Sequence, residues 1–306
     1  MCGILGFGSA NEDTRLITPF LALAMQERGR DSWGATDGNK IVKKLGPIVE
    51  SFSIKDFENF ESGIIHTRAA SKGSVTVDNA HPFSFQKTDG SFITGVHNGC
   101  LTNHEELNRK YERAFEVDSM HIFKHIAEDR ELKEIYGWGA VVWYHDNQIN
   151  FTRFNMQDLH AVKLASGPIM FCSNLGPLKT AARLVGAEIS VVYEIHNEYR
   201  YYIRKEADGS DCLMKAEQMP FGFRHAPSTP TTFQANQARQ GQSGPVVYPG
   251  WGANCGSSLD DIGRNKRTKG ECVRCNTQIN RKKKTLCDKC VEAIRALLTG
   301  QCEIYE

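Results

Sequence analysis

The second residue carries a reactive combination. The chain opens Met1-Cys2-Gly3-Ile4-Leu5-Gly6, and methionine ahead of a small residue is normally trimmed, which predicts a mature chain starting at Cys2. A terminal cysteine has a thiol and a free α-amine on one residue. The unperturbed amine, with a pKa of about 7.7–8.0, takes the thiol's proton near neutral pH, so one residue supplies nucleophile and base. Alone, Cys2-Gly3 reads more simply as the small apolar start of a strand. Three further segments reverse that preference: Arg28-Gly29-Arg30-Asp31-Ser32; His66-Thr67-Arg68-Ala69-Ala70-Ser71-Lys72-Gly73 with Asn79-Ala80-His81-Pro82-Phe83; and His97-Asn98-Gly99 with Asp118 behind it.

Together these segments resemble the class II glutamine amidotransferases, the branch of N-terminal-nucleophile hydrolases that begin with cysteine. The family's usual runs are close to His-Arg-Gly-x-Asp-Ser-x-Gly, His-Thr-Arg-Trp-Ala-Thr-His-Gly, Asn-Ala-His-Pro and His-Asn-Gly-x-x-x-Asn. They stand here as Glu27–Gly34, His66–Gly73, Asn79–Pro82 and His97–Asn103, in the same order and with matching spacing. Weaker agreement continues through Gly137-Trp138-Gly139-Ala140 and Ser173-Asn174-Leu175, so the resemblance covers roughly residues 2–200. Each segment alone is weak evidence, Asn-Gly being a common turn dipeptide. Four in order behind a cysteine at position two are strong.

The resemblance implies hydrolysis of glutamine through a γ-glutamyl thioester on Cys2, with glutamate and ammonia as products. It implies that the Asn98 side-chain amide and the Gly99 backbone N–H receive the tetrahedral oxyanion. Arg68 takes the substrate α-carboxylate, for which a planar guanidinium is suited. Asp118 takes the α-ammonium and also suits a helix N-cap. Ser71 keeps the hydroxyl of the family's threonine. Arg28, with Asp31, is expected to order the loop around the terminus. His81 has a structural or site-ordering role, since the α-amine already supplies a base, and His66 and His97 read as core histidines. Three positions depart from the family: its tryptophan after the arginine is Ala69, its histidine before the glycine is Lys72, and its first histidine of the Arg-Gly-x-Asp-Ser run is Glu27. These changes bear on affinity and pocket shape and leave the nucleophile and oxyanion donors in place.

The elements that must position these residues read as alternating strands and helices over 2–225. Strands are expected at Cys2–Phe7, Ile64–Arg68, Phe92–His97 and Ile169–Ser173. Thr18 with Pro19 reads as a helix start with Gly29 beyond its end. Asn103 with Glu106 reads as a capping box opening a helix toward Tyr111, and Asp118 as the cap of another. Ala140–Tyr144 and Ile149–Phe154 flank Asp146-Asn147 as a hairpin. A further helix runs from about Pro177 to Leu184. Val191–Ile195 and Tyr199–Arg204 read as a second pair around His196-Asn197-Glu198. This pattern indicates an α+β domain with two sheets and helices outside. The resemblance makes it a four-layer αββα sandwich.

Residues 226–267 are rich in Pro, Gly, Gln, Asn, Ser and Thr and read as a flexible linker. Residues 268–302 hold Cys272-Val-Arg-Cys275 and Cys287-Asp-Lys-Cys290 with eleven residues between the pairs. Four thiolates at that spacing suit a structural zinc ion in a small ribbon, where metal supplies much of the folding energy. The ribbon and its approach are basic, with Arg264, Lys266, Arg267, Lys269, Arg274 and Arg281–Lys284. Nucleic acid phosphates are one partner for such a surface, and a protein-docking module is the alternative.

Across its 306 residues the chain has a formal net charge of +1, with 40% hydrophobic and 24% charged residues. That predicts a globular protein with no global attraction to nucleic acid or membrane. No apolar run approaches the roughly 18 residues of a membrane span, and no signal peptide is read ahead of Cys2. Ten cysteines, four of them in Cys-x-x-Cys pairs, suit a reducing, cytoplasmic setting better than a disulfide framework. No phosphate-binding P-loop is read in these 306 residues, and no sugar isomerase, phosphoribosyltransferase or ATP-pyrophosphatase domain is expected within them. The expectation is therefore a separate ammonia-accepting synthase or ligase chain. Two other readings are hydrolysis of a different γ-glutamyl amide, and a non-catalytic, zinc-dependent adaptor built on the same fold.

Overall fold

A computed structural model describes residues 1–52, 56–57, 59–155 and 157–222. The linker and the four ribbon cysteines lie outside the described residues. In chain order the elements are β1 (Gly3–Phe7), α1 (Glu12–Met25), β2 (Ser32–Thr36), β3 (Ile41–Leu45), α2 (Ile48–Ser51), β4 (Gly63–Arg68), β5 (Phe83–Gln86), β6 (Phe92–Leu101), α3 (His104–Lys110) and α4 (Ser119–Ala127). There follow β7 (Gly137–His145), β8 (Gln148–Phe154), β9 (His160–Leu164), β10 (Ile169–Cys172), α5 (Leu175–Val185), β11 (Ile189–Tyr193), β12 (Tyr199–Lys205) and β13 (Asp211–Gln218).

The strands form two antiparallel sheets, ordered β11-β9-β10-β1-β4-β2-β3 and β13-β12-β8-β7-β6-β5. Alternation along each strand sends side chains to opposite faces, and three cores result. Leu5, Ile65 and Met170 on one face of the first sheet pack with Ile17, Leu21 and Met25 of α1 and with Leu178 and Ala182 of α5. Ile4, Ile64 and Phe171 on its other face meet Val96, Val142 and Phe151 of the second sheet. The outer face of that sheet, through Ile93, Val141 and Trp143, packs with Leu107 of α3 and with Ile122 and Phe123 of α4. Helices, sheet, sheet and helices thus follow one another. Among the described residues no helix is long and apolar enough to cross a membrane.

Several elements differ from the sequence expectation. The first helix begins at Glu12, not near Thr18. Asn11 and Thr14 form a reciprocal capping box, and Pro19 lies inside the helix. The Thr18 hydroxyl donates to the Thr14 carbonyl at 2.7 Å instead of capping. Asn103 precedes α3 but makes no side-chain cap. Its side chain instead donates to the Glu134 carbonyl and accepts from the Tyr136 N–H, pinning the entry to β7. The expected pair of strands over 191–204 does not form. β11 pairs with β9 in the first sheet and β12 with β8 and β13 in the second, so His196-Asn197-Glu198 belongs to a crossing between sheets. The hairpin at Asp146-Asn147 does form, with both turn residues at positive φ, as its two-residue connection requires.

Candidate active site

Strand periodicity assembles the site. Ile4, Ile64 and Val96 point into the core between the sheets. Two or four residues along the same strands, Cys2, Arg68 and Asn98 therefore turn toward that same interlayer. β1 and β4 are antiparallel with Gly3 opposite Thr67, which sets Cys2 beside Arg68 at one end of the layers. The Cys2 backbone N–H donates to Asn98 Oδ1 at 3.1 Å, and the Cys2 carbonyl accepts from Arg28 Nε at 2.8 Å. The Cys2 thiol donates to the Ala69 carbonyl at 3.5 Å. Gly3 is required by close packing: a Cβ there would lie 2.6 Å from Thr67 Oγ1 and 2.9 Å from the Met25 carbonyl.

Asn98 is 1% exposed. With its Oδ1 on Cys2, its Nδ2 faces Ser173 Oγ at 3.4 Å, and the same hydroxyl accepts from the Ile4 N–H at 3.0 Å. Backbone N–H groups alternate sides along an antiparallel strand. The Leu101 N–H is turned off β7 and donates to Asp118 Oδ2 at 2.6 Å, so Gly99, two residues earlier, sends its N–H to the same side. The β5 neighbour has already stopped at Gly95. Gly99 cannot carry a side chain, because a Cβ would lie 2.0 Å from the Trp138 carbonyl and 2.6 Å from Gly139 Cα.

Arg68 and Asp118 are both buried. Arg68 donates through Nη2 to the Lys72 carbonyl at 2.7 Å and through Nη1 to the Ser74 carbonyl at 3.2 Å, wrapping the loop after β4 around its guanidinium. Burial lowers the Arg68 pKa from its ordinary value, opposed by Cys2, Asp31 and Asp118. Asp118 Oδ1 accepts from the Ser119 N–H at 2.9 Å as the cap of α4. Asp31 Oδ2 accepts from the Ala70 N–H at 2.7 Å, fixing the start of the same loop.

The remaining candidates fall in different places. Arg28 grips the Cys2 backbone. Ser71 lies exposed in the loop between Arg68 and Lys72. His81 is buried against His66 and Phe83, at ring separations of 4.2 and 4.6 Å, and neither of its nitrogens has a hydrogen-bond partner among the described residues. It makes no hydrogen bond to Cys2, Arg68 or Asp118. His66 Nε2 lies 3.1 Å from the His97 carbonyl, and His97 Nδ1 lies 2.9 Å from Ser119 Oγ. Burial lowers the pKa of all three imidazoles, that of His66 to about 3. Burial likewise pushes the Cys2 thiol above its ordinary value. Ser173, the shared partner of Asn98 and Ile4, enters as a site residue that sequence reasoning did not assign. Its signal was the run Ser173-Asn174-Leu175. A cleft of about 510 Å³ lies elsewhere, lined by Phe92 and Thr94 at the far end of β6 and by Tyr144 and Asn147, and none of the candidate residues reaches it.

No protein-family model matches the chain. Glutamine–fructose-6-phosphate aminotransferase of Streptococcus agalactiae is 27% identical over 224 residues, 68% of this chain and 36% of that protein. The same enzyme of Staphylococcus epidermidis is 38% identical over 117 residues, 36% of this chain and 19% of that protein. The chain therefore spans about a third or less of the length of these relatives. Among solved structures, the glutamine phosphoribosylpyrophosphate amidotransferase of B. subtilis, complexed with ADP and GMP, matches with a TM-score of 0.55 and 18% identity, over 72% of this chain and 49% of that one. A structure described as the allosteric regulatory enzyme of purine biosynthesis matches with a TM-score of 0.54 and 19% identity, over 72% and 50% of the two chains. These homologues are class II glutamine amidotransferases, enzymes of the N-terminal-nucleophile hydrolase type, and the described part of the chain has their fold.

Proposed function

We propose that residues 2–225 form a glutaminase that releases ammonia for transfer. The observation that carries this reading is the contact between the Cys2 nitrogen and Asn98 Oδ1, with Arg68 and Asp118 flanking it. Removal of the exposed Met1 converts that nitrogen from a peptide N–H into an α-amine already held by Asn98. Such a base suits the thiol, whose pKa burial pushes above its ordinary value, while the nearby His66 and His97 rings are engaged with the His97 carbonyl and Ser119.

In the proposed reaction Arg68 receives the α-carboxylate of glutamine and Asp118 its α-ammonium. The amine takes the thiol proton as Sγ attacks the side-chain amide carbon. Asn98 Nδ2, exchanging its long contact with Ser173, and the Gly99 N–H receive the oxyanion. The C–N bond breaks as the amine returns the proton to the leaving nitrogen, giving ammonia and a Cys2 thioester, which water hydrolyses to glutamate. The test is ammonia and glutamate release in equal amounts from glutamine. Cys2→Ala is expected to abolish both. Asn98→Ala is expected to lower kcat by about 10²–10³-fold, the usual effect of losing one oxyanion donor.

The same proposal takes the domain as an αββα N-terminal-nucleophile hydrolase, sends the ammonia to a separate synthase or ligase chain, and places the protein in the cytoplasm. It assigns a structural zinc ion to Cys272, Cys275, Cys287 and Cys290, on the grounds that four thiolates in two Cys-x-x-Cys pairs form the donor set tetrahedral zinc prefers.

A further inference from the structure

We infer that Lys72 is a positioning residue for the amino-acid head group, an inference that rests on the glutaminase reading. Arg68 and Asp118 come from different layers of the fold, one at the end of β4 and the other at the start of α4. A continuous path of hydrogen bonds joins them, and Lys72 is its central member. Arg68 Nη2 donates to the Lys72 carbonyl at 2.7 Å. Lys72 Nζ donates to the Leu101 carbonyl at 3.0 Å. The Leu101 N–H donates to Asp118 Oδ2 at 2.6 Å. One residue thus holds the guanidinium through its backbone and the strand carrying Asn98 and Gly99 through its ammonium.

Other anchors of this loop act elsewhere. Asp31 holds Ala70, while Ser74 Oγ and Asn79 Nδ2 donate to Glu116 Oε2 at 2.8 and 2.7 Å. None of these three contacts reaches β6. Among the described residues the Lys72 side chain links this loop to β6, and its charge lies close enough to act on the Cys100 thiol and the His104 imidazole, both of which also feel Asp118. An ammonium there fixes the separation of the two head-group residues and adds positive potential beside the carboxylate position, without contacting the reacting carbon.

Steady-state kinetics on the full chain test this. Lys72→Met and Lys72→Gln are expected to raise KM for glutamine about 10- to 100-fold, the range for a lost charged hydrogen bond. Their kcat should stay within about threefold, and Lys72→Arg should restore KM to within about threefold of wild type. Iodoacetamide, which has no head group, should alkylate Cys2 at the wild-type rate in all three variants. Unchanged KM in Lys72→Met and Lys72→Gln overturns the inference, as does a parallel loss of kcat, iodoacetamide reactivity and melting temperature, which marks a merely structural role. A wild-type chain that releases no ammonia from glutamine overturns the glutaminase reading itself and this inference with it.

Discussion

Burial pushes the Cys2 thiol above its ordinary value, opposed by its hydrogen bond to the Ala69 carbonyl, by the N-terminal charge and by Arg68. A cysteine activated by cationic surroundings alone would have a lowered pKa. The surroundings here point instead to activation by a base during the reaction. The three buried histidines bear on stability as well as on the site. His66, His81 and His97 are neutral in the fold, with pKa values held below the ordinary 6.5 by burial. The unfolded chain binds protons at these positions near pH 6.5, and the folded chain binds them only at lower pH, about 3 for His66. Stability contributed by their neutral burial is therefore complete above pH 6.5 and falls as pH drops toward 3, by up to about 1.4 kcal/mol per histidine per pH unit. Urea unfolding at pH 7.5 and 5.0 should show the loss, at least about 1 kcal/mol over that interval. Equal stability at the two values would contradict the burial of neutral imidazoles.

Among the elements, β6 matters most to the site, because it delivers Asn98 and Gly99 against β7. Gly99→Ala forces a Cβ onto the Trp138 carbonyl and Gly139, and backbone cannot yield as a flexible side chain would. The variant is expected to lose about 1–3 kcal/mol of stability together with most activity, measurable by thermal melting and ammonia release. Wild-type melting and turnover would show that β6 and β7 do not approach so closely. The same strand shows why the placement of the candidate residues was legible in the sequence. Asn98, Gly99, Arg68 and Asp118 stand in short local motifs, and period-two alternation turns Cys2, Arg68 and Asn98 into one layer. Features set by distant partners were less legible. β11 and β12 have the apolar pattern of a hairpin, and only their neighbours β9 and β8 divert them into different sheets. Thr18-Pro19 has the signature of a helix start, but Asn11 and Thr14 supply a reciprocal cap seven residues earlier. Asn103 has a capping residue's identity and is drawn away by the Glu134 and Tyr136 backbone.

In the proposed reaction the described fold would supply the nucleophile, the oxyanion donors and the head-group site, and the curated relatives are each about three times this chain's matched length or longer. Under the proposed function ammonia passes to a separate accepting chain, so transfer should rise when that chain is present and glutamine is the nitrogen source. The cysteine quartet gives a second prediction at this scale. Purified chain should contain about one zinc ion per molecule, and Cys272→Ser with Cys287→Ser should remove it while leaving glutamine hydrolysis by the first 225 residues intact. Metal content unchanged by the substitutions would contradict the assignment. The most direct measurement for the central claim is intact mass before and after incubation with 6-diazo-5-oxo-norleucine, a glutamine mimic that alkylates a competent nucleophile. The account predicts a starting mass lacking Met1 and a single adduct that Cys2→Ala eliminates. A chain without Met1 that takes no adduct would contradict a formed glutamine site and favour the adaptor reading.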